Sequence, residues 1–320
     1  VELLFGALDV ALLASTIRLV GPILLASLGG LTTERAGVFN VALEGLMLVG
    51  AFFAVAGTYW TGNPFLGVGL AVLAAVAVAL IFAFVVVDLG GDQVVAGLAI
   101  NILALGLTTY LVKPVFGTTG SFYDPKMPGL PEIQIPIVHD IPVLGTLLSG
   151  YSPLTYLAFA VALVGHVLLY RHHWGIRLRA VGESPVAAGS VGISVRRVRY
   201  LAIVASGVFC GLAGAELSIS LVTQFVQGMT AGRGFIALVA VMFGRARPIP
   251  TLAACLLFGF AYALTLRLQG GSVPPQFVAM LPYVATIAVL VAVAVRARRR
   301  RTALLPVTEV VLEEGSIATP

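Results

Sequence analysis

Residues 45–87 read GLMLVGAFFAVAGTYWTGNPFLGVGLAVLAAVAVALIFAFVVV, without a single Asp, Glu, Lys or Arg. A helix needs about 20 apolar residues to cross the hydrocarbon core of a bilayer, and this stretch alone supplies most of two. Uncharged runs recur at 93–112, 141–170, 249–266 and 268–295. Over all 320 residues, 59% are hydrophobic and 10% charged, where a soluble domain carries about a quarter charged. The apolar residues form continuous runs with no polar face. That pattern predicts an all-α, polytopic helical membrane protein.

Spans are expected over 3–28, 38–57, 64–87, 93–112, 153–170, 200–220, 233–243, 249–267 and 277–295, nine in the central count and eight to ten in range. The segment 233–243 is too short to cross alone; it reads as a half-helix or, with the Gly-rich 226–234, as a re-entrant element. A break in 38–57 or 217–243 would add a span. The N-terminal VELLFGALDV is acidic where a secretory signal is basic, so it reads as the lead into a retained first span. Cys210 and Cys255 sit inside apolar spans, without metal-ligand spacing. The glycines of GVFCGLAGA (207–215) suit close helix approach, and the GG pairs at 29–30, 90–91 and 270–271 mark ends or breaks of spans.

Orientation follows from the basic residues, which favour short cytoplasmic loops. With the tail RARRRR (296–301) placed inside, the segments 29–37, 171–199 and 244–248 fall on the same side and share with it 14 of the 19 Lys and Arg. The N-terminus is then outside and the C-terminus cytoplasmic. The acidic loop DLGGD (88–92) fits this side least well. The outer loop 113–150, rich in Pro and Gly, reads equally as a small cap, a docking surface or an unstructured connection. The net charge of +5 does not point to nucleic acid, because the arginines lie in the short loops of a membrane protein.

Enzyme signatures are missing. The only lysines, Lys113 and Lys126, follow Val112 and Pro125, so no phosphate-binding GxxxxGK[ST] loop exists; HExxH, GxSxG and Cys/His clusters are absent too. Polar residues within spans are costly unless paired or facing water. Asn40 and Glu44 share a helix face, and Asn101, Glu216, Gln224 and Gln227 sit in other spans. Together with Phe225 these residues are candidates to line a translocation path. The competing reading is structural, with Glu44 and Glu216 paired to Arg18, Arg35 or backbone groups. In the loop RHHWGIRLRAVGESPVAAGSVGISVRRVRY (171–200), Gly182 offers a turn, Ser184 an N-cap and Pro185 a first helical residue. This predicts a short helix over PVAAGS, stopped near Gly192. It has the form of a docking element, although composition alone favours a basic loop held to anionic membrane lipid.

LTTERAGVFNVALEGLMLVGAFFA (31–54) resembles the ER-x-G-V-x-N-x-x-LEG-M signature of a permease family in bacterial ABC importers for branched-chain amino acids, ribose-type sugars and nucleosides. WGIRLRAVGESPVAAGSVGISV (174–195) and GRGFIALVAVMFGRARP (232–248) resemble further parts of the same family, and the wording is nearest to nucleoside permeases served by a basic-membrane-protein lipoprotein receptor. Ser184 stands where Asn is usual, and Leu46 precedes Met47 where Met usually follows LEG directly. The resemblance implies a single permease domain over 1–300 with a cytoplasmic tail at 301–320, in the bacterial cytoplasmic membrane. It implies no cofactor in this chain, ATP and Mg being bound by a separate ATPase subunit. It also implies a second, similar permease, most simply a paralogue, and an extracytoplasmic binding lipoprotein. The coupling contact to the ATPase would fall on Gly182, Glu183, Ser184, Pro185, Ala187 and Ala188. A nucleoside importer permease is the leading expectation. A simple-sugar permease, an ion-driven secondary transporter using Glu44 and Glu216, and a membrane assembly factor are the alternatives.

Overall fold

The computed structural model describes residues 10–136 and 144–269, with Met280, Val284 and Val291; the expected span 277–295, the GG pair at 270–271 and the tail 301–320 lie outside the described residues. The helices are α1 (Val10–Arg35), α2 (Leu43–Thr61), α3 (Pro64–Ala83), α4 (Gln93–Phe116), α5 (Leu144–Leu148), α6 (Pro153–Arg171), α7 (His173–Glu183), α8 (Pro185–Ser190), α9 (Val195–Ala215), α10 (Arg233–Phe243) and α11 (Pro248–Leu268). Wider-wound turns extend α3 over Phe84–Asp88 and α9 over Glu216–Leu221. Two short strands, β1 (Ser121–Phe122) and β2 (Phe225–Val226), pair antiparallel. Among the described residues seven helices, counting those extensions, are long and apolar enough to span a membrane, and α10 is a shorter apolar helix.

Boundaries moved where glycine or a polar side chain overrode the hydropathy reading. The first helix runs to Arg35 straight through Gly29 and Gly30. These glycines are contact points: a Cβ on Gly29 would lie 3.0 Å from the Ser206 carbonyl oxygen, and one on Gly30 2.9 Å from Leu43 Cδ1. The second span begins at Leu43, not 38, because residues 36–42 leave the helix. Gly182 is no turn; it lies within α7, and the expected loop there is helical from His173 to Glu183. The pair at 90–91 does mark a break, between α3 and α4.

Packing centres on α9, which lies against α1, α2 and α3, while α1 also carries α6, α10 and α11. Small residues make this possible. On α3 the buried positions Gly67, Ala71, Ala75 and Ala79 recur every four residues, one stripe of a helix. A Cβ on Gly211 of α9 would sit 2.8 Å from Val72 Cα, and one on Gly50 of α2 would sit 2.8 Å from Gly211 Cα, so three backbones meet at one point. On the outer sides of α3 and α4 large apolar residues face away from the bundle: Leu73 is 68% exposed and Ile102 73%. In lipid, association depends on close packing and not on hiding apolar surface, which accounts for small residues inside and large ones outside.

Loops expected to share a side do meet. Arg35 donates to the carbonyls of Ala246 (2.6 Å) and Arg245 (3.0 Å). Arg196 grips Asp88 with two hydrogen bonds of 2.6 and 2.9 Å, and the Tyr200 hydroxyl donates to the same carboxylate at 2.6 Å. Asp92 caps α4 by accepting from the Val94 and Val95 amides. The acidic residues of 88–92 are therefore partners of the basic end. At the opposite end, residues 117–136 are a docked cap. β1 pairs with β2, Leu130 donates to the Ile219 carbonyl, and Phe122 stacks on Phe116 with centroids 4.1 Å apart.

Crowding at Gly211 makes a prediction. Gly211→Ala should lower the thermal stability of the purified protein by about 1–3 kcal/mol, the usual cost of overpacking. Gly69→Ala, where a Cβ meets open space, should leave the melting temperature unchanged or slightly raised.

Candidate functional site

Residues 36–42 form a non-helical segment buried between spans, and irregular backbone at membrane depth must find hydrogen-bond partners within the protein. The amides of Ala36, Gly37 and Val38 turn back to the carbonyls of Thr33 and Glu34, and side chains serve other groups. Gln93 Oε1 accepts from the Phe39 amide at 2.6 Å. Asn40 Oδ1 accepts from the Ala42 amide, while its Nδ2 donates to Ser206 Oγ, both at 3.0 Å. Asn101 clamps both sides of the break: its Nδ2 donates to the Val41 carbonyl at 2.9 Å and its Oδ1 accepts from the Gly45 amide at 2.7 Å. Gly45 and Gly97 let α4 come this close, since a Cβ on Gly45 would lie 2.9 Å from Asn101 Cα.

Glu44, the next polar residue, holds the start of α10. Its carboxylate accepts from the amides of Gly232 (2.8 Å) and Gly234 (2.6 Å). A helix leaves its first amides unpaired and its N-terminus favours negative charge, so a buried carboxylate there is stable. With eleven residues, α10 is about 17 Å long, half the hydrocarbon thickness. It is a half-helix beginning inside the bundle and running to the basic end.

The other path candidates behave differently. Glu216 is fully buried and accepts from Ser152 Oγ (2.6 Å) and Thr155 Oγ1 (2.5 Å). Arg18, its expected alternative partner, instead pairs with Glu132 of the cap at 3.0 Å. Phe225 is also fully buried, edge-on to Phe52 at 5.2 Å, so its ring is not open for stacking. Gln224 and Gln227 use their backbone amides, donating to the carbonyls of Ser218 and Gly120. Their side chains make no hydrogen bond among the described residues. Asn40, Glu44, Asn101 and Glu216 thus meet internal groups, and only the two glutamines keep free amides. The sequence reading missed Gln93 and Ser206 as parts of this arrangement, because their partners lie far along the chain, and Arg35, expected to pair with Glu44 or Glu216, instead donates to the Ala246 and Arg245 carbonyls.

At the basic end the helix over PVAAGS is present as α8. Ser184 Oγ accepts from the Ala187 amide (3.3 Å) and Pro185 opens the helix. Gly192, at φ +82°, ends it. The expected contact set divides by face. Gly182 packs against the backbone at Arg35 and Gly37, and Ala188 is buried against Val181 and Val198, so both point into the protein. Glu183, Ser184 and Ala187 are exposed. Val186, absent from the expected set, is 86% exposed, an apolar side chain at the tip of a held helix. Val191 just beyond is 75% exposed. The base is braced to α1 by Gly182, to α9 by Val198 and, through Arg196 and Asp88, to α3.

Removing the Asn101 clamp should be costly. Asn101→Ala leaves the Gly45 amide and Val41 carbonyl unpaired, at about 1–3 kcal/mol each; a thermal melt of the purified chain should show a large loss, with Phe225→Leu a milder one.

Residues 12–290 match the family described as the branched-chain amino acid transport system permease component. The chain is 38% identical to the guanosine ABC transporter permease NupQ of Bacillus subtilis, over 86% of this chain and 89% of the relative. It is 30% identical to the guanosine ABC transporter permease NupP of the same organism, over 86% and 79%. A permease of Haloferax volcanii named provisionally for glucose, TsgC13, is 36% identical over 92% and 94%. Among solved structures, one described as an inward-facing metal-chelate type ABC transporter shares the fold, with a TM-score of 0.51 over 89% of this chain and 85% of that one, at 14% identity. These matches cover the spans, the 36–45 break and α8 together; the chain belongs to the branched-chain amino acid transport system permease family and is the multi-pass, non-catalytic permease subunit of an ABC importer of the cytoplasmic membrane, working with an ATPase and a binding protein.

Proposed function

We propose that this permease imports nucleosides, paired with a second, non-identical permease, and that α8 is its coupling helix. Likeness to NupQ over most of both chains supports the solute class. Two guanosine permeases from one organism, both similar to this chain, support a heterodimer. The observation carrying the coupling assignment is Val186, 86% exposed on a capped helix braced to three spans. Apolar anchors surrounded by polar contacts dominate protein interfaces, and a braced helix passes movement of its partner to α1, α3 and α9 as rigid displacement. Glu183, Ser184, Pro185 and Ala187 form the contact around Val186, while Gly182 and Ala188 hold the helix in place.

Gln224 and Gln227, on the segment between α9 and α10, are the solute-facing candidates. Their unengaged amides suit the hydroxyls and ring edges of a neutral nucleoside. Asn40, Glu44, Asn101 and Glu216 shape the wall by fixing the break and the half-helix. ATP and Mg belong to the partner ATPase.

Proteoliposomes holding the assembled importer test the solute. Labelled guanosine should be taken up with ATP and its uptake competed by other nucleosides and not by glucose; competition by glucose alone would replace the nucleoside reading with the sugar one. Val186→Asp should cut ATP-driven uptake by about tenfold or more, as loss of an interface hot spot does. Solute binding by the receptor protein and the permease's own melting temperature should be unchanged. Affinity purification of the tagged chain should recover a different permease; recovery of only a second copy would overturn the heterodimer.

A further inference from the structure

A crevice of about 440 Å3 opens between α6 and α9 at the basic end. Both helices pack on α1 and leave a slot between them, walled by Leu28 and Leu31 of α1, Leu168 and Leu169 of α6, and Leu201 and Phe209 of α9. Leu168 and Leu201 line it and are still 50% and 52% exposed, so the slot is open sideways, toward lipid. Its lining has two polar side chains, Thr32 within and the exposed His172 beside Trp174 at the mouth, and the interior offers no free hydrogen-bonding group to a polar solute. The Thr32 hydroxyl, the one polar side chain deep in it, donates within the protein to the carbonyls of Gly29 (2.7 Å) and Ala202 (3.3 Å). A polar solute there would be desolvated without compensation.

Its depth is that of a single leaflet. The lining runs from Val161 through Leu169 of α6 to His172 just past the helix end, roughly 15 Å at the helical rise and half of a hydrocarbon core about 30 Å thick. The mouth carries the chemistry of a headgroup region. Trp174 lines it and is 52% exposed, as suits an indole at a membrane interface. The Arg177 guanidinium stands 5.9 Å from its ring. Arg171 and Arg177 are exposed, and no carboxylate pairs with either among the described residues.

We propose that this crevice binds one acyl chain of an anionic phospholipid of the cytoplasmic leaflet, with the phosphate held at the mouth by Arg171 and Arg177. A slot as deep as one leaflet, apolar within and cationic only at its rim, complements that molecule. Each arginine adds attraction for anionic lipid.

Tryptophan quenching tests this in the full chain reconstituted in nanodiscs. The chain has two tryptophans, and Trp60→Phe leaves Trp174 as sole reporter. Phosphatidylglycerol brominated near the glycerol end should quench Trp174 as though enriched about fivefold over its bulk fraction, the contribution expected of one arginine at a charged surface. Brominated phosphatidylcholine should quench only in proportion to its fraction. Arg171→Gln with Arg177→Gln should abolish the difference between the two lipids, and Ala205→Phe, which fills the slot, should reduce quenching by both. Equal quenching by the two lipids would overturn the proposal. So would no quenching by either, which would mean that protein covers the slot, or an anionic preference that survives loss of both arginines.

Discussion

In hydrocarbon no backbone amide or carbonyl can turn to water, so every departure from helix must be paired within the protein. Among the described residues the chain departs at 36–42 and ahead of α10, and one set of side chains serves both. Asn101 clamps the two sides of the first break, and Asn40 and Gln93 satisfy its middle. Glu44 then holds the second by accepting from the first amides of the half-helix. Arg35 fixes the far end of that half-helix through the carbonyls of the turn after it. Three polar positions of the stretch ERAGVFNVALEG, Arg35, Asn40 and Glu44, thus carry structure together with Gln93 and Asn101, and the course of α1, α2, α4 and α10 depends on them.

That constraint changes the meaning of polar residues within spans. Taken one at a time, Asn40, Glu44, Asn101 and Glu216 are equally suited to line a water-filled path or to join helices. Geometry separates them from Gln224 and Gln227 by what each side chain touches. A carboxylate facing two amides or two hydroxyls is compensated in place. A glutamine whose side chain finds no partner on a segment between two spans is available to a solute.

Close packing supplies the rest of the fold. With lipid as solvent, the apolar faces of α3 and α4 gain little by turning inward, and the helices come together where glycine and alanine allow it. Gly211 meets Gly50 and Val72 at backbone distance, and α9 becomes the central strut. That strut begins four residues after α8 and packs against α1, α2 and α3. The Asp88–Arg196–Tyr200 cluster adds α3 to the same body.

Membrane spans, their number within the described residues, the capped helix over PVAAGS and the family were legible from the sequence, because each rests on local features: uncharged runs, a Ser-Pro cap and contiguous motifs. That the basic loops gather at one end was legible too, from arginine placement. Helix ends at 35 and 43 were not, since hydropathy does not distinguish a helix from a buried irregular strand of the same apolar residues. Nor were the inward faces, because lipid-facing and protein-facing positions are both apolar. The division of 182–188 into braces and an exposed Val186, and of the polar residues into internally bonded groups and free amides, came only from tertiary structure. Each depends on partners 50 to 200 residues away, such as Gly45 with Asn101 and Glu44 with Gly232, and no local pattern encodes such a pairing.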